Sequence, residues 1–298
     1  MAPEPSNPAV GVLLMAYGTP RGPEELEAYY TDIRRGRPPT PEQLADLRRR
    51  YDAIGGISPL RARTEAQRDG LQRALDERAP GRTRVVLGYK HASPSIEEAR
   101  AELAEADRVV GLVLAPHFSA LSVGEYLARA GADAAIESWH VEPAYVGFLT
   151  AAVTDALGSL PARTKVLFTA HSLPARVVAL GDPYPDQLWA TAEAVATVAG
   201  LAPWQGWSTA WQSAGRTPEP WLGPDVNEVV RDLAATGVAD GVLVCPCGFV
   251  ADHLEVLHDL DIETAKVAAD AGIAFGRTRV LNDDATVLGA LADRVLSA

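Results

Sequence analysis

The sequence predicts a doubly wound α/β fold in two similar halves, and three observations carry that prediction. Apolar runs rich in Val and Leu alternate along the chain with amphipathic stretches, the pattern of parallel strands joined by helical crossovers. At 298 residues the chain is long enough for two ordinary domains. Finally, VLLMAYGTP at 12–20 aligns without a gap on VLFTAHSLP at 166–174, keeping Val, Leu, Ala and Pro and placing Tyr17 in register with His171. The halves are expected at 1–145 and 146–298, with the last helix open to packing on either. Chance likeness of two buried strands is the competing account of the repeat.

The elements follow in order. Val10 to Ala16 reads as a strand buried on both faces. Pro23 to Ile33 is acidic early and runs into Arg34, Arg35 and Arg37, the charge order that complements a helix dipole. TPEQLADLRRRY offers Thr40 as a cap, Pro41 at the first helical position and arginines near the end. DAIGGISPL is a turn-rich connection before a helix from about Arg61 to Asp76. TRVVLGYKH, DRVVGLVLAPHFS, KVLFTAHS and DGVLVCPCGF are further buried strands. Amphipathic stretches at 96–103, 144–156, 187–198 and 226–233 supply crossovers, and a final helix is expected over about 284–296. In such folds ligands sit beyond the carboxyl ends of the strands. That singles out Tyr17, His91, His117, His171 and the residues after Phe249.

Composition narrows the function classes. A net charge of −12 is the wrong sign for a nucleic-acid partner. No apolar run approaches the roughly 20 residues needed to span a bilayer. Met1 to Pro8 lacks a basic, signal-like character and reads as a disordered lead-in, so a cytoplasmic location is expected. Two cysteines, Cys245 and Cys247, are too few for a disulfide framework and read as a buried, inert pair, with a redox or metal-delivery role as the alternative.

Three groups of residues could carry chemistry. His171, at the end of a buried strand, could accept a proton near neutral pH or bind a divalent metal; a hydrogen-bonded structural histidine is the competing reading. In GFVADHLEVLHDLDIE, a continuous helix would stack Glu255, Asp259 and Glu263 at i, i+4 and i+8, with Asp252 and Asp261 nearby. Carboxylates so spaced repel each other and suit either a solvated acidic face or a track of oxygen ligands for divalent cations. His253 and His258 add nitrogen, although helical spacing does not put both on the Glu255 face. In the first half, Arg34, Arg35, Arg37, Arg50, Tyr51, Ser58, Ser122 and Tyr126 could hold a ligand's carboxylates, or simply decorate helix ends.

Taken together, VLLMAYGTP, YYTDIRRGRPPTPEQLADLRRRYDAIGGISPL, LAPHFSALSVGEYLARA, TAHSLPARVVALGDPYPDQL, WQSAGRTPEPWLGPDV and GFVADHLEVLHDLDIE resemble the ferrochelatase family. The likeness is greatest to the Gram-positive-type branch that acts on coproporphyrin III. The resemblance implies two Rossmann-like halves with parallel sheets and a porphyrin cleft between them, and insertion of Fe2+ into the free-base macrocycle. Iron is then a substrate, no cofactor is needed, and heme synthesis is the setting. His171 matches the motif histidine of the inner metal site and Glu255 its acidic partner; Asp259, Asp261 and Glu263 match an acidic track leading outward. Tyr17 matches a residue that ligates iron in the product, and Arg34, Arg50, Tyr51, Ser58 and Tyr126 match positions that contact the porphyrin and its propionates.

Two departures qualify the likeness. Some relatives carry a [2Fe-2S] cluster on four cysteines, which this chain of two cannot supply. GTPRGPEELEAYY is short and polar where membrane-docked relatives have an apolar lip, so a soluble monomer with an open cleft is expected, suited to coproporphyrin more than to protoporphyrin. Protoporphyrin IX as substrate, a cobalt or nickel chelatase, and a non-catalytic tetrapyrrole or heme carrier are the competing readings. Neutral imidazole and carboxylate suit Zn2+ and Cu2+ at least as well as Fe2+.

Overall fold

A computed structural model describes residues 8–298 apart from 204 and 216, so most of the expected N-terminal lead-in lies outside the described residues. The strands and helices run β1 (Val10–Ala16), α1 (Leu26–Ile33), α2 (Pro41–Ala53), α3 (Leu60–Arg78), β2 (Thr83–Tyr89), α4 (Ile96–Ala101), β3 (Arg108–Val113), α5 (Val123–Ala130), β4 (Ala134–Ile136) and α6 (Pro143–Leu157). They continue with β5 (Thr164–His171), α7 (Arg176–Ala179), α8 (Tyr184–Val198), β6 (Trp207–Gln212), α9 (Val226–Thr236), β7 (Gly241–Cys245), α10 (Leu254–Leu257), α11 (Ala265–Ala271), β8 (Ala274–Arg277) and α12 (Ala285–Ser297). A π-helical turn, Asp259–Thr264, joins α10 to α11.

Two four-stranded parallel sheets result, in the orders β2-β1-β3-β4 and β6-β5-β7-β8. The orders are the same, and the repeated stretches occupy the same place in each: β1 and β5 lie between neighbours whose crossovers depart in opposite directions. This is the switch point where an open parallel sheet leaves a crevice at its carboxyl end. Tyr17 follows β1 directly and His171 ends β5. The central strands β1, β5 and β7 are the most apolar, and Val12 to Met15, Val166 to Phe168 and Val242 to Val244 are completely buried. That burial on both faces explains why they read as continuous runs rather than alternating ones.

Local chemistry sets the helix starts. Thr40 accepts from the Gln43 amide while the Gln43 side chain accepts from Thr40 N–H, and Ser95 and Glu98 form the same reciprocal pair ahead of α4. Asp225 and Asp284 cap α9 and α12 through their carboxylates.

The described residues fall into two compact units: those up to 115 with 122–138 and 282–298, and 116–121 with 139–281. This differs from a single cut at 145/146. The loop 116–121 belongs with the second unit because its neighbours there hold it: Phe118 N–H donates to Gln187 Oε1 at 2.7 Å, and Ser119 Oγ and Ala120 N–H both donate to Asp182 Oδ2. The last helix, α12, packs against α3 of the first unit, where Arg78 grips Asp293 and Gln67 donates to the Asn282 carbonyl.

Three strands are absent from the expected set. The strand β4 has three residues, β8 is a half-buried edge, and β6 (WSTAWQ) carries polar Ser208, Thr209 and Gln212 on a sheet edge. None shows the apolar run that marks a central strand. The helix expected to run unbroken through 255–263 also differs: after the single turn of α10 the backbone widens to the π turn, with Glu263 N–H bonded to the His258 carbonyl at 2.9 Å.

Candidate functional site

The second unit builds a cluster at the carboxyl ends of β5 and β7. His171 Nδ1 lies 2.5 Å from the Ser172 carbonyl, which can only accept, so Nδ1 carries the proton and Nε2 is left for the site. Nε2 faces Glu255 Oε1 at 3.6 Å. His253 repeats the arrangement from the other side: Nδ1 donates to the Ala251 carbonyl at 2.9 Å, and Nε2 faces Glu255 Oε2 at 3.6 Å. One carboxylate thus sits between two imidazoles whose other nitrogens are tied to the backbone. All three side chains keep partial solvent access, His171 and Glu255 about a third.

Helical spacing, which assumed helix from Gly248 onward, did not put both His253 and His258 on the Glu255 face. The backbone at His253 is extended, with φ −159°, and α10 begins only at Leu254. The ring is thereby swung onto the carboxylate that follows it by two residues.

Several contacts hold this cluster. Gly248 approaches β5 so closely that a Cβ there would lie 2.5 Å from the Ala170 Cβ, and its N–H donates to the Thr169 carbonyl at 2.9 Å. The Tyr145 hydroxyl, fully buried, donates to the Cys247 carbonyl at 2.7 Å. Gln212 accepts from Thr169 Oγ1 and donates to the Glu255 carbonyl, so β6 reaches across β5 to the turn. The Tyr184 hydroxyl donates to the carbonyl of His171. Gln212 and Tyr184 lie within quoted segments but were given no role; the pairing of β6 with β5 brings the first to the site and the start of α8 brings the second.

The electrostatics follow from this packing. Burial alone would raise the Glu255 carboxyl, but the facing imidazoles, His171 foremost, outweigh it and hold it well below the usual carboxylate range. Burial would lower the His171 imidazole, and the Glu255 charge reverses that and raises it. The cluster can therefore keep a proton or exchange it for a divalent cation, since two imidazole nitrogens and a carboxylate are borderline ligands for first-row metals.

Beyond Glu255, the π turn gathers a second group. His258, Asp259 and Glu263 each offer a ligand atom within 4.8 Å of the others, the one such group of three found among the described residues. Asp259 also accepts from Ser213 Oγ at 2.5 Å. Asp259 and Glu263 were expected in an acidic track, whereas His258 was not assigned to it. Asp261, expected beside them, is instead held by Arg277 through two bonds of 2.6 and 2.9 Å.

In the first unit the expected residues are more dispersed. Tyr17 is exposed, and its ring lies 4.7 Å from that of His91, whose Nδ1 bonds Asp32 at 2.7 Å. Gly18, with φ +91°, lets the chain turn there: a Cβ would meet Ala92 Cβ at 2.8 Å. Tyr51 is buried with its hydroxyl 3.1 Å from Thr19 Oγ1, and Ser58 is buried with its oxygen accepting from Leu60 N–H. Tyr126 is buried under Lys90, whose ammonium is 5.0 Å from the ring centre. Arg34 donates to the Arg37 carbonyl at the end of α1, and Arg50 lies in the last turn of α2. Tyr17, His91 and Arg34 keep solvent access, whereas Tyr51, Ser58 and Tyr126 are buried.

Two flagged groups have structural roles. His117 is buried with Nε2 on Thr191 Oγ1, and burial pushes its imidazole down to about 3. Cys245 and Cys247 are fully buried, and burial lifts the Cys245 thiol to about 12 and raises the Cys247 thiol well above the usual thiol range.

Comparison with known proteins places these features in a wider set. Residues 9–298 match the family described as ferrochelatase. Among curated relatives, the "Coproporphyrin III ferrochelatase" of Anoxybacillus flavithermus is 43% identical, with 98% of this chain and 97% of that protein aligned. The protein of the same description from Bacillus subtilis is 43% identical over 98% of each chain. The "Ferrochelatase" of Herpetosiphon aurantiacus is 43% identical over 92% of this chain and 93% of its own.

Proposed function

The chain belongs to the ferrochelatase family, and from that premise we propose that it inserts Fe2+ into coproporphyrin III to give Fe-coproporphyrin, with His171 and Glu255 at the reacting centre. The family supplies porphyrin metallation in heme synthesis; the choice of coproporphyrin draws on the names of its relatives and on the polar segment after β1. Among the described residues no helix is long and apolar enough to cross a membrane.

The observation that carries the reading is the pair of imidazole Nε2 atoms facing the two oxygens of Glu255 at 3.6 Å each. Metallation exchanges two pyrrole N–H protons for one Fe2+, so the site must take up protons and release a cation at the same place. Neutral His171 Nε2 and Glu255 supply lone pairs for either task, and His253 shares the load on the carboxylate's far oxygen. A proton arriving at His171 is stabilised by the Glu255 charge, and it can leave past Asp259, Glu263 and His258. The same carboxylates draw a hydrated divalent cation inward along the opposite course. Tyr17 is proposed as the iron ligand in the product, backed by the Asp32–His91 pair, and Arg34 and Arg50 as partners of propionates.

The test is anaerobic metallation of coproporphyrin III and protoporphyrin IX side by side with Fe2+, read from the porphyrin absorption spectrum, with His171→Ala as control. Turnover of coproporphyrin at a rate well above protoporphyrin, lost by orders of magnitude in His171→Ala, is expected. Comparable turnover of both porphyrins removes the substrate assignment. Stoichiometric binding of Fe-coproporphyrin without turnover makes the protein a carrier.

A further inference from the structure

Arg277 ends β8, and its guanidinium is largely buried against the turn that carries the acidic residues. Nε and Nη2 donate to the two oxygens of Asp261 at 2.6 and 2.9 Å, the planar two-point geometry that only arginine provides. Nη2 is also 3.7 Å from Asp252 Oδ1, and Nη1 donates to the Thr278 carbonyl. Thr278 N–H in turn bonds the Val244 carbonyl of β7. One side chain thus connects the end of the sheet to two points of the turn. Asp252 precedes His253 directly and Glu255 by three residues; Asp261 lies midway between Asp259 and Glu263.

We propose that Arg277 is a positioning residue for divalent-cation capture. It anchors the His253–Glu255 turn through Asp252 and the π turn through Asp261, and so presents Glu255, Asp259, Glu263 and His258 in the spacing a cation needs. It also keeps two carboxylates that are not ligands from drawing a cation aside. The inference rests on the reading of this acidic turn as a metal path. Asp252 and Asp261 are like charges on the same guanidinium, and without it they would repel each other.

The test separates geometry from charge counting. Zn2+ is titrated by calorimetry into the metal-free full-length protein without porphyrin, for the parent, Arg277→Met, Arg277→Lys and Asp261→Asn. If Arg277 acted only as a positive charge, Arg277→Met would bind Zn2+ more tightly and Arg277→Lys would match the parent. Positioning predicts that Arg277→Met and Asp261→Asn both weaken binding, by roughly 10–100-fold, and that Arg277→Lys recovers only part of it. In turnover assays the KM for Fe2+ rises while the KM for porphyrin stays within about twofold of the parent, a small change on the scale of such a second-layer loss. Zn2+ affinity in Arg277→Met equal to or above that of the parent overturns the proposal. If that variant does not fold, unchanged affinity in Arg277→Lys does so. Because the titration needs no turnover, a parent that binds Zn2+ but metallates nothing refutes the proposed function and leaves this inference standing.

Discussion

Replacing Gly248 by Ala tests how tightly the site depends on the contact between the turn after β7 and the end of β5. The added Cβ would lie 2.5 Å from Ala170 Cβ and 2.7 Å from Ala170 Cα, against an ordinary carbon contact of about 3.5–4.0 Å. Ala170 is a strand residue with no freedom to rotate away, so the turn must retreat by about 1 Å, the difference between these contact distances. The 2.9 Å bond from Gly248 N–H to the Thr169 carbonyl then stretches beyond useful length. Overpacking costs about 1–3 kcal/mol, and the lost bond in a buried place adds about 1–3 kcal/mol. At roughly 2–4 °C per kcal/mol for a unit of this size, the Tm should fall by about 4–24 °C. His171 follows Ala170 directly, and Glu255 lies seven residues past Gly248, so the same retreat opens the gap between them. A displacement of about 1 Å can lower metallation by roughly 100-fold. The assay is thermal unfolding by circular dichroism, with kcat/KM measured at a temperature where the variant is folded. Gly147→Ala is the control, since a Cβ there meets nothing within 4 Å and alanine favours the interior of α6. A Gly248→Ala protein with Tm and kcat/KM both equal to the parent would refute the reasoning.

Other expectations come from the same geometry. Glu255, held below its ordinary value of 4.5, contributes stability that is present above that value and fades as pH falls through its folded value; His171, raised above 6.5, contributes stability that is full below 6.5 and fades as pH rises through its folded value. Glu255→Gln should therefore flatten both limbs of stability against pH, and an unchanged profile would show that the pair is not coupled. Tyr145→Phe leaves the buried Cys247 carbonyl without its donor and should cost about 1–3 kcal/mol, measured by urea unfolding; a loss under 0.5 kcal/mol, within the usual scatter of surface changes, counts against it. Cys245 and Cys247, buried and shifted up, should resist a thiol reagent in the folded protein and react in urea; rapid labelling of the folded chain would contradict their inert role.

The sequence made the central strands and their ends legible, for a physical reason. Strands β1, β5 and β7 are buried on both faces, so they appear as unbroken apolar runs, and the residue that ends such a run stands out when it is polar. Tyr17 and His171 were visible in this way, and the repeat linking them corresponds to equivalent strands of two sheets with the same order. The edge strand β2 keeps a buried apolar run and was legible, but β4, β6 and β8 lack that signature, so they passed unnoticed and took Gln212 and Arg277 with them. The part His253 plays escaped because helical spacing was applied to a residue that is extended. Asp261 stood among the acids as an equal, although the arginine that neutralises it lies sixteen residues onward and becomes a neighbour only when β8 joins β7.

The two sheets share an order but end differently, and this difference sets where the histidine–carboxylate cluster lies. After β3 the chain leaves through APHFS, whose histidine is buried and bonded to Thr191, so that strand contributes no reactive group to its own carboxyl edge. After β7 the chain turns on Gly248 and extends through His253 before the short helix and the π turn. That path folds a histidine and a carboxylate back toward the end of β5, then lines up further ligands beyond them. An uninterrupted α-helix from Gly248 would have spent the same acidic residues along one side of a cylinder, with His253 facing elsewhere. The extended step and the widened turn convert a repelling row of carboxylates into a site with an inner group at His171 and an outer one at His258, each made of nitrogen and oxygen together. A repeated sheet thus supplies two equivalent strand ends, and the irregular backbone after β7 gives the second a histidine–carboxylate cluster.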